Sequence, residues 1–450
     1  MKVWIKYLIG IALGVIAALV LPVDNPTGAT VLSLITDFVI RFGDYLVILL
    51  IFSTTAVAIN KLRLSKLILK STLWTFLIII VSSLLLTIIG TASIILVKLP
   101  RIPITIDTAT EITSVNAKNL LLSLFSISTI DILHEGSYVL FAFLFGGLIG
   151  WESASDQITF KPVSSLADSF SKLFYNIATF FTEIMAVLII ATVCAWTIMF
   201  RSVIANGIYT PMILMFLVDL VIVVGIIYPI IIRYVCHDPH PYRVLYASLA
   251  PMMLSFVSGD ATLSLSLIFR HGKESLGIRR RCNGFTYPLF ALFSRGGSAL
   301  VSTICFFLIL RSYSSLSISF GDIVFVSLLA FGLSFLLGGF PSGAAFILLT
   351  ILCERYGKGF ETSFLLLKPA SVIICSFAAI FDTATAMFGS YIVAVKTKTV
   401  FTVNGKQDEF PFFIRHQYFY PVIRRNIHYF THVDMPCPHI LVHPDFSGGF

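Results

Sequence analysis

Charge is what this sequence has least of: Asp, Glu, Lys and Arg make up only 12% of its 450 residues. Soluble globular domains carry about 25%, so most of this chain's surface cannot be meant for water. Cysteine is present without a pattern. Cys194, Cys236, Cys282, Cys305, Cys353, Cys375 and Cys437 stand singly, mostly inside apolar runs, with no CxxC pair. That excludes a disulfide framework and a thiolate metal centre, and leaves small core residues. Catalytic motifs are missing too. There is no Gly-x-Ser-x-Gly, HExxH or P-loop pattern, so no enzymatic activity is expected. The net charge of +8 would suggest nucleic acid only if it were clustered on a soluble surface. Here it lies in the connections between apolar runs, so no nucleic-acid partner is expected.

What is abundant is apolar length. Hydrophobic residues make up 57% of the chain and the mean hydropathy is +0.94. A bilayer-spanning helix needs about 20 predominantly apolar residues, and such stretches recur at 7–21, 31–60, 73–97, 120–150, 173–200 and 209–235. Lys2 and Lys6 ahead of the first run imitate a signal peptide. The run ends in Leu-Pro without a small-x-small cleavage site, so it reads as an uncleaved first helix. Aromatic residues, 14% of the chain, gather at span ends as interfacial belts do. The chain therefore reads as an all-α, multi-pass integral membrane protein whose partner is the lipid bilayer.

The later segments differ in kind. Those at 246–268, 286–310, 322–352 and 363–395 are interrupted by Gly, Ser, Pro and lone charges. Polar or irregular backbone at membrane depth is tolerated only where protein encloses it or it lines a cavity, so these breaks predict a protein-enclosed site. Basic residues give the topology. Lys2/Lys6, Lys61/Arg63/Lys66/Lys70, Arg233/Arg243, Arg270/Lys273/Arg279/Arg280/Arg281 and Lys396/Lys398 are clustered, whereas 22–36 holds no Lys or Arg. The positive-inside rule puts these clusters in the cytoplasm only if 246–281 enters and leaves on the same side. Both termini are then expected to be cytoplasmic, in the plasma membrane. Residues 397–450 are polar and aromatic and hold His416, His428, His432, His439 and His443. The spacing of His439 and His443 with Cys437 is too loose to predict a metal site.

Five stretches carry a resemblance. Ser258-Gly259-Asp260-Ala261-Thr262-Leu263 is followed by Glu274-Ser275-Leu276-Gly277-Ile278. Pro288-Leu289 precedes Ser294-Arg295-Gly296-Gly297-Ser298-Ala299. Gly338-Gly339-Phe340-Pro341-Ser342-Gly343-Ala344 comes next, and Asp382-Thr383 with Gly389-Ser390 closes the series. In order, spacing and placement these resemble the dicarboxylate/amino acid:cation symporters, the glutamate/aspartate and C4-dicarboxylate transporters. The matches are, in turn, the serine-rich tip of their first re-entrant hairpin, the link into the seventh helix, the unwound Asn-Met-Asp-Gly-Thr-Ala motif, the Gly-Val-Pro-Gly tip of the second hairpin, and the eighth-helix Arg-Thr and Gly-Asp pairs. Phe42-Gly43-Asp44 is read as opening a long second helix. The similarity covers roughly residues 1–396.

The resemblance implies eight transmembrane helices plus two re-entrant hairpins, built as inverted repeats and assembled as a homotrimer. It divides the chain into scaffold helices 1–2 (1–72), helix 3 with its loop (73–119), scaffold helices 4–5 (120–200), helix 6 (201–245), a transport core (246–396) and a cytoplasmic tail (397–450). The core slides through the membrane with a small-molecule solute held between the hairpin tips. The substrate-binding positions carried over are Gly259, Asp260, Arg295, Ser298, Phe340, Pro341, Ala344, Asp382, Thr383 and Ala386. The cation-coupling positions are Ser294, Arg295, Gly296 and Ser390.

The departures fall on the chemistry. The arginine that pairs with a substrate side-chain carboxylate is replaced by Asp382, and the asparagine that holds its backbone carboxylate by Ala386. The two sodium-binding aspartates become Gly296 and Ser390. In the unwound motif, asparagine becomes Ser294 and methionine Arg295; the second and third hairpin serines become Gly259 and Asp260. Hard cations need several oxygen ligands, so sodium coupling of the usual kind is not expected. An ionisable residue at membrane depth is a functional-site hypothesis by default. Arg295 is therefore expected to stand where relatives bind mobile cations, neutralised by Asp260 and Asp382, unless it only braces the unwound helix through backbone carbonyls. The expected function is secondary active, elevator-type transport of a small organic solute, an amino acid or a dicarboxylate such as glutamate or aspartate. No cofactor is expected, and the coupling cation is left between H+ and Na+. Asp382 disfavours acidic side chains, which Arg295 could reverse. The alternative is a non-transporting relative acting as channel, receptor or membrane scaffold. Glu183 and Asp219 are expected to be structural.

Overall fold

The computed structural model describes residues 3–20, 26–97, 99–103, 138–205, 207–313, 319–340, 342–357 and 359–401. Pro341 and the histidine-rich stretch after residue 401 lie outside the described residues, as does 104–137, which includes the start of the expected fourth helix. The helices all belong to one compact unit, Met1–Val400. In chain order they are α1 (Val3–Val20), α2 (Pro26–Leu64), α3 (Ile68–Leu96), α4 (Tyr138–Ser153), α5 (Lys161–Ala205) and α6 (Thr210–Val235). After these come α7 (Tyr242–Ser258), α8 (Leu265–Glu274), α9 (Arg280–Phe293), α10 (Gly296–Tyr313), α11 (Phe320–Ser334), α12 (Ala344–Tyr356) and α13 (Ser371–Lys396). Among the described residues no β-strand occurs; two isolated bridges, Asp260–Ser342 and Ile278–Val400, are the extended pairings.

Among the described residues seven stretches are long and apolar enough to cross a membrane: α1, α2 from Thr30, α3, α5 to Ile198, α6, the α9–α10 pair, and Ser363–Lys396. They are not equivalent. In the most apolar window of α1 22% of residues are buried, against 94% in that of Arg280–Tyr313. The α9–α10 pair is thus the centre of the molecule and α1 its margin. Leu19, Val20, Leu34, Phe38, Leu69, Leu73, Phe180, Val187 and Leu214 stand exposed on the outer helices. Apolar surface on this scale needs lipid or a partner helix to cover it, which makes the chain a multi-pass integral membrane protein.

α2 corrects one expectation. It begins at Pro26, so Phe42-Gly43-Asp44 sits inside the helix rather than at its start. A single glycine at an interior position costs a helix only about 1 kcal/mol and does not end it. Helices approach closely where side chains are absent. A Cβ on Gly150 of α4 would lie 2.3 Å from the Ala56 carbonyl oxygen of α2, so no larger residue fits that crossing.

Three of the four interrupted segments fold as two helix–turn–helix units and one broken helix; the fourth, 363–395, is a 3-10 turn at Ser363–Ala370 running into the unbroken α13. α7 and α8, of 17 and 10 residues, are joined by a tip at Gly259–Ser264. α11 and α12, of 15 and 13 residues, are joined through a short 3-10 turn at Leu337–Gly339. None of the four reaches the length of a full span. The α9–α10 axis breaks at Ser294–Arg295, which are not helical.

Two charged residues in the spans acquire partners. Glu183 of α5 takes Lys6 of α1 and, at 2.7 Å, Arg270 of α8. Arg270 also donates to Thr182 Oγ1 at 2.9 Å and lies 3.5 Å from Glu274. Asp219 is buried on α6 against Ser93 of α3, immediately before a π-helical turn at Val221–Ile227. Both side chains bridge helices, as expected of structural groups.

Candidate functional site

The site forms where the two tips meet the break in α9–α10. Gly259 ends α7 with φ +66°, a left-handed conformation that costs glycine nothing and other residues about 1–2 kcal/mol. That turn brings Asp260 back over the helix end. Its N–H donates to Ser258 Oγ at 3.2 Å, and its Oδ1 accepts from the Thr262 N–H at 2.6 Å. Asp260 is 1% exposed and bridges to Ser342, so the two tips touch through backbone. The second tip is braced from α10, where Ser302 Oγ donates to the Ala345 carbonyl at 2.7 Å.

Arg295 lies in the break and is 2% exposed. Its Nη1 is 3.7 Å from Asp382 Oδ2, too long for a hydrogen bond. Its Nε has no partner. Asp382, on α13, is better served. Its Oδ1 accepts from the Gly297 N–H at 2.8 Å, and its Oδ2 from Ser298 Oγ at 3.0 Å. The carboxylate therefore sits on the N-terminus of α10, where unpaired N–H groups and the helix dipole favour negative charge. Gly297 makes that approach possible. A Cβ there would fall 2.3 Å from Phe381 Cβ and 2.8 Å from Asp382 Oδ1.

Of the two ion pairs expected of Arg295, one lies within 4 Å. Arg295 pairs with Asp382; Asp260 lies near enough to feel the Arg295 charge but makes no ion pair within 4 Å, and its Oδ1 accepts from the Thr262 amide. Nor does Arg295 bond the backbone carbonyls of the unwound segment: no hydrogen bond from its side chain is made among the described residues. A guanidinium carries five N–H donors, and in this one they are almost wholly unspent.

A cavity of about 10 Å³ opens on these groups. Gly259, Arg295, Ser298, Ala344 and Asp382, all expected at the site, line it. Asp260, Phe340, Thr383 and Ala386 do not. Thr383 instead shares a hydrogen bond with Ser264 at 3.1 Å, tying α13 to the first tip. Gly343, Ala345, Cys375, Ala378 and Ala379 complete the wall. The last three precede Asp382 by seven, four and three residues, so helical spacing alone could have found them once Asp382 was chosen.

The cation-coupling positions are furnished without carboxylates. Ser390 Oγ and Thr286 Oγ1 are 2.6 Å apart, one hydroxyl satisfying the other. Gly296 packs on α3, where a Cβ would come within 2.7 Å of Ser83 Cα. Ser294 Oγ is buried and without a partner. Among the described residues no three His, Cys, Asp or Glu side chains gather as a metal site.

A comparison with curated proteins returned no match. The family model described as the sodium:dicarboxylate symporter family matches residues 3–398, which takes in every helix and both tips. The chain belongs to the sodium:dicarboxylate symporter family.

Proposed function

We propose that the chain is an elevator-type secondary carrier of a small amino acid or a related carboxylate, in which Arg295 replaces the mobile cation of its relatives. In this reading eight spans and two re-entrant hairpins form the fold, α7–α8 and α11–α12 being the hairpins. Residues 246–396 move as a transport core against a trimeric scaffold in the plasma membrane, with both termini cytoplasmic.

The observation that carries the proposal is the unspent guanidinium. Arg295 is buried, lines the cavity between the tips, and has one ionic contact within 4 Å, with Asp260 acting on it from further off. A solute carboxylate would find a bidentate partner there. Asp382 has used two of its roughly four lone-pair sites, which leaves room for an ammonium group. A zwitterion thus suits the pair better than a dianion does. The cavity holds about 10 Å³, room for roughly one water, so the tips must part before a solute enters. Because the positive charge is tethered, the core would be neutral enough to move without sodium. Proton coupling through Asp382 is the remaining route to accumulation.

The test is uptake of labelled amino acids and dicarboxylates into proteoliposomes, under a sodium gradient, a proton gradient or neither, for wild type and Arg295→Ala. Sodium-independent uptake of a small neutral amino acid, lost in the variant, is the expected result. Sodium-driven uptake overturns the tethered cation. No uptake of any solute favours the non-transporting reading.

A further inference from the structure

A second, partly open cavity lies among α2, α5, α8 and the first turn of α9. Its chemistry has no part in the site between the tips. Lys273 at the end of α8 and Arg280 at the start of α9 both face one aromatic ring, that of Tyr175 on α5. The Lys273 ammonium is 4.3 Å and the Arg280 guanidinium carbon 5.6 Å from the ring centroid. Two cations side by side repel, and among the described residues neither has a carboxylate in ion-pair contact. Glu274, the nearest acid, is engaged by Arg270 and accepts from the Tyr175 hydroxyl at 3.3 Å. The electron-rich ring face holds the two cations in place but does not neutralise them.

Asn283 supplies an independent sign that something belongs there. It is 2% exposed and lines the cavity, yet its Oδ1 has no partner and its Nδ2 makes only a long 3.4 Å contact with the Ile278 carbonyl. Rotating that amide turns its N–H groups to the cavity and its Oδ1 toward the Ile278 carbonyl, an exchange that a bound anion must repay. The N-terminus of α9, a 14-residue helix, forms the same wall and adds its favourable dipole for an anion. Ser171 contributes a hydroxyl to the lining and Phe269 an apolar floor.

We infer that the Lys273–Arg280–Asn283 cavity is a binding site for a phosphate-bearing anion, either the headgroup of an anionic phospholipid or a free phosphate. A tetrahedral oxyanion accepts hydrogen bonds on several sides, which matches donors converging from two helices and an amide. Bound there, it joins α5 to the α8–α9 connection through charges that otherwise repel.

The test uses the full-length protein in detergent at constant ionic strength. Thermal stability is read during titration with dihexanoyl phosphatidylglycerol, dihexanoyl phosphatidylcholine or inorganic phosphate. A saturable rise in Tm with phosphatidylglycerol alone identifies the lipid headgroup; a rise with phosphate as well identifies the free anion. In Lys273→Gln/Arg280→Gln the apparent affinity should weaken roughly 25-fold, from about fivefold per lost cation. If the double variant does not run as a single species, Lys273→Gln alone should show the fivefold loss. Equal responses in wild type and variant, an equal response to phosphatidylcholine, or no response to either anion would overturn the proposal.

Discussion

The unequal partnership of Arg295 and Asp382 makes a prediction that equal partners would not. Asp382→Asn keeps shape and removes charge, leaving Arg295 buried with no carboxylate within 4 Å and only Asp260 acting from further off. Stranding a buried charge costs about 3–5 kcal/mol, to which weaker hydrogen bonds from Gly297 and Ser298 add. Arg295→Met does the reverse. Asp382 then keeps both donors and the N-terminus of α10, and hydrogen bonds to a charged group are worth about 1.5–3 kcal/mol each. What is lost is one contact at 3.7 Å, so the expected cost is about 1–2 kcal/mol. Combining the two changes removes the stranded charge, and the double variant should be about 2 kcal/mol more stable than additivity gives. The assay is thermal unfolding followed with a thiol-reactive fluorophore in a background with Cys375 and Cys437 replaced by serine, since Cys194, Cys236, Cys282, Cys305 and Cys353 are buried whereas Cys375 is only half-buried. If Arg295→Met lowers Tm as far as Asp382→Asn, or the pair is additive, the reasoning about which partner depends on the other is wrong.

Three further outcomes follow from packing and charge. Gly297→Ala should cost about 1–3 kcal/mol by overpacking and abolish uptake, because its Cβ would overlap Phe381 and the Ala378 carbonyl; Gly332→Ala, with nothing within 4 Å, is the control and should leave Tm unchanged or slightly higher. Gly259→Ala meets only Ser376 Oγ at 3.8 Å, so its cost of about 1–2 kcal/mol is backbone strain alone; Gly259→Asn should cost less, and equal Tm values for the two would refute this. Arg270→Ala removes a nearly buried cation from Glu183 and Glu274. Glu183 is a third exposed and keeps Lys6, so the loss should be about 1–3 kcal/mol, and Glu183→Gln should lower Tm less than Arg270→Ala does.

The family resemblance was legible because it rests on local sequence. A glycine that must adopt φ +66° at residue 259 and a Ser-Arg-Gly-Gly break at 294–297 mark their own positions. The partners of the charged groups were not legible in the same way. Asp260 was expected to pair with Arg295; it lies close enough to feel that charge, yet its Oδ1 goes to an amide two residues away. Local hydrogen bonds of this kind compete with distant ion pairs, and sequence does not say which wins. The same holds for Glu183, whose partner Arg270 lies 87 residues further on, and for Phe42-Gly43-Asp44, which an unbroken helix simply absorbs.

By itself, then, the sequence determined that the chain is helical and crosses a bilayer, because apolar length and scarce charge allow no other way to hide backbone and surface from water. It also determined where the helices break, since glycine and an intramembrane arginine cannot be placed without consequence. Only the tertiary structure decided that Asp382 sits on the end of α10, that Arg295 keeps its donors, that Ser390 and Thr286 satisfy each other, and that Lys273 and Arg280 share one tyrosine. Those outcomes depend on how far one helix is shifted and rotated against another. A shift of a single residue, 1.5 Å along the axis with a rotation of about 100°, would exchange every partner while leaving each helix as it is.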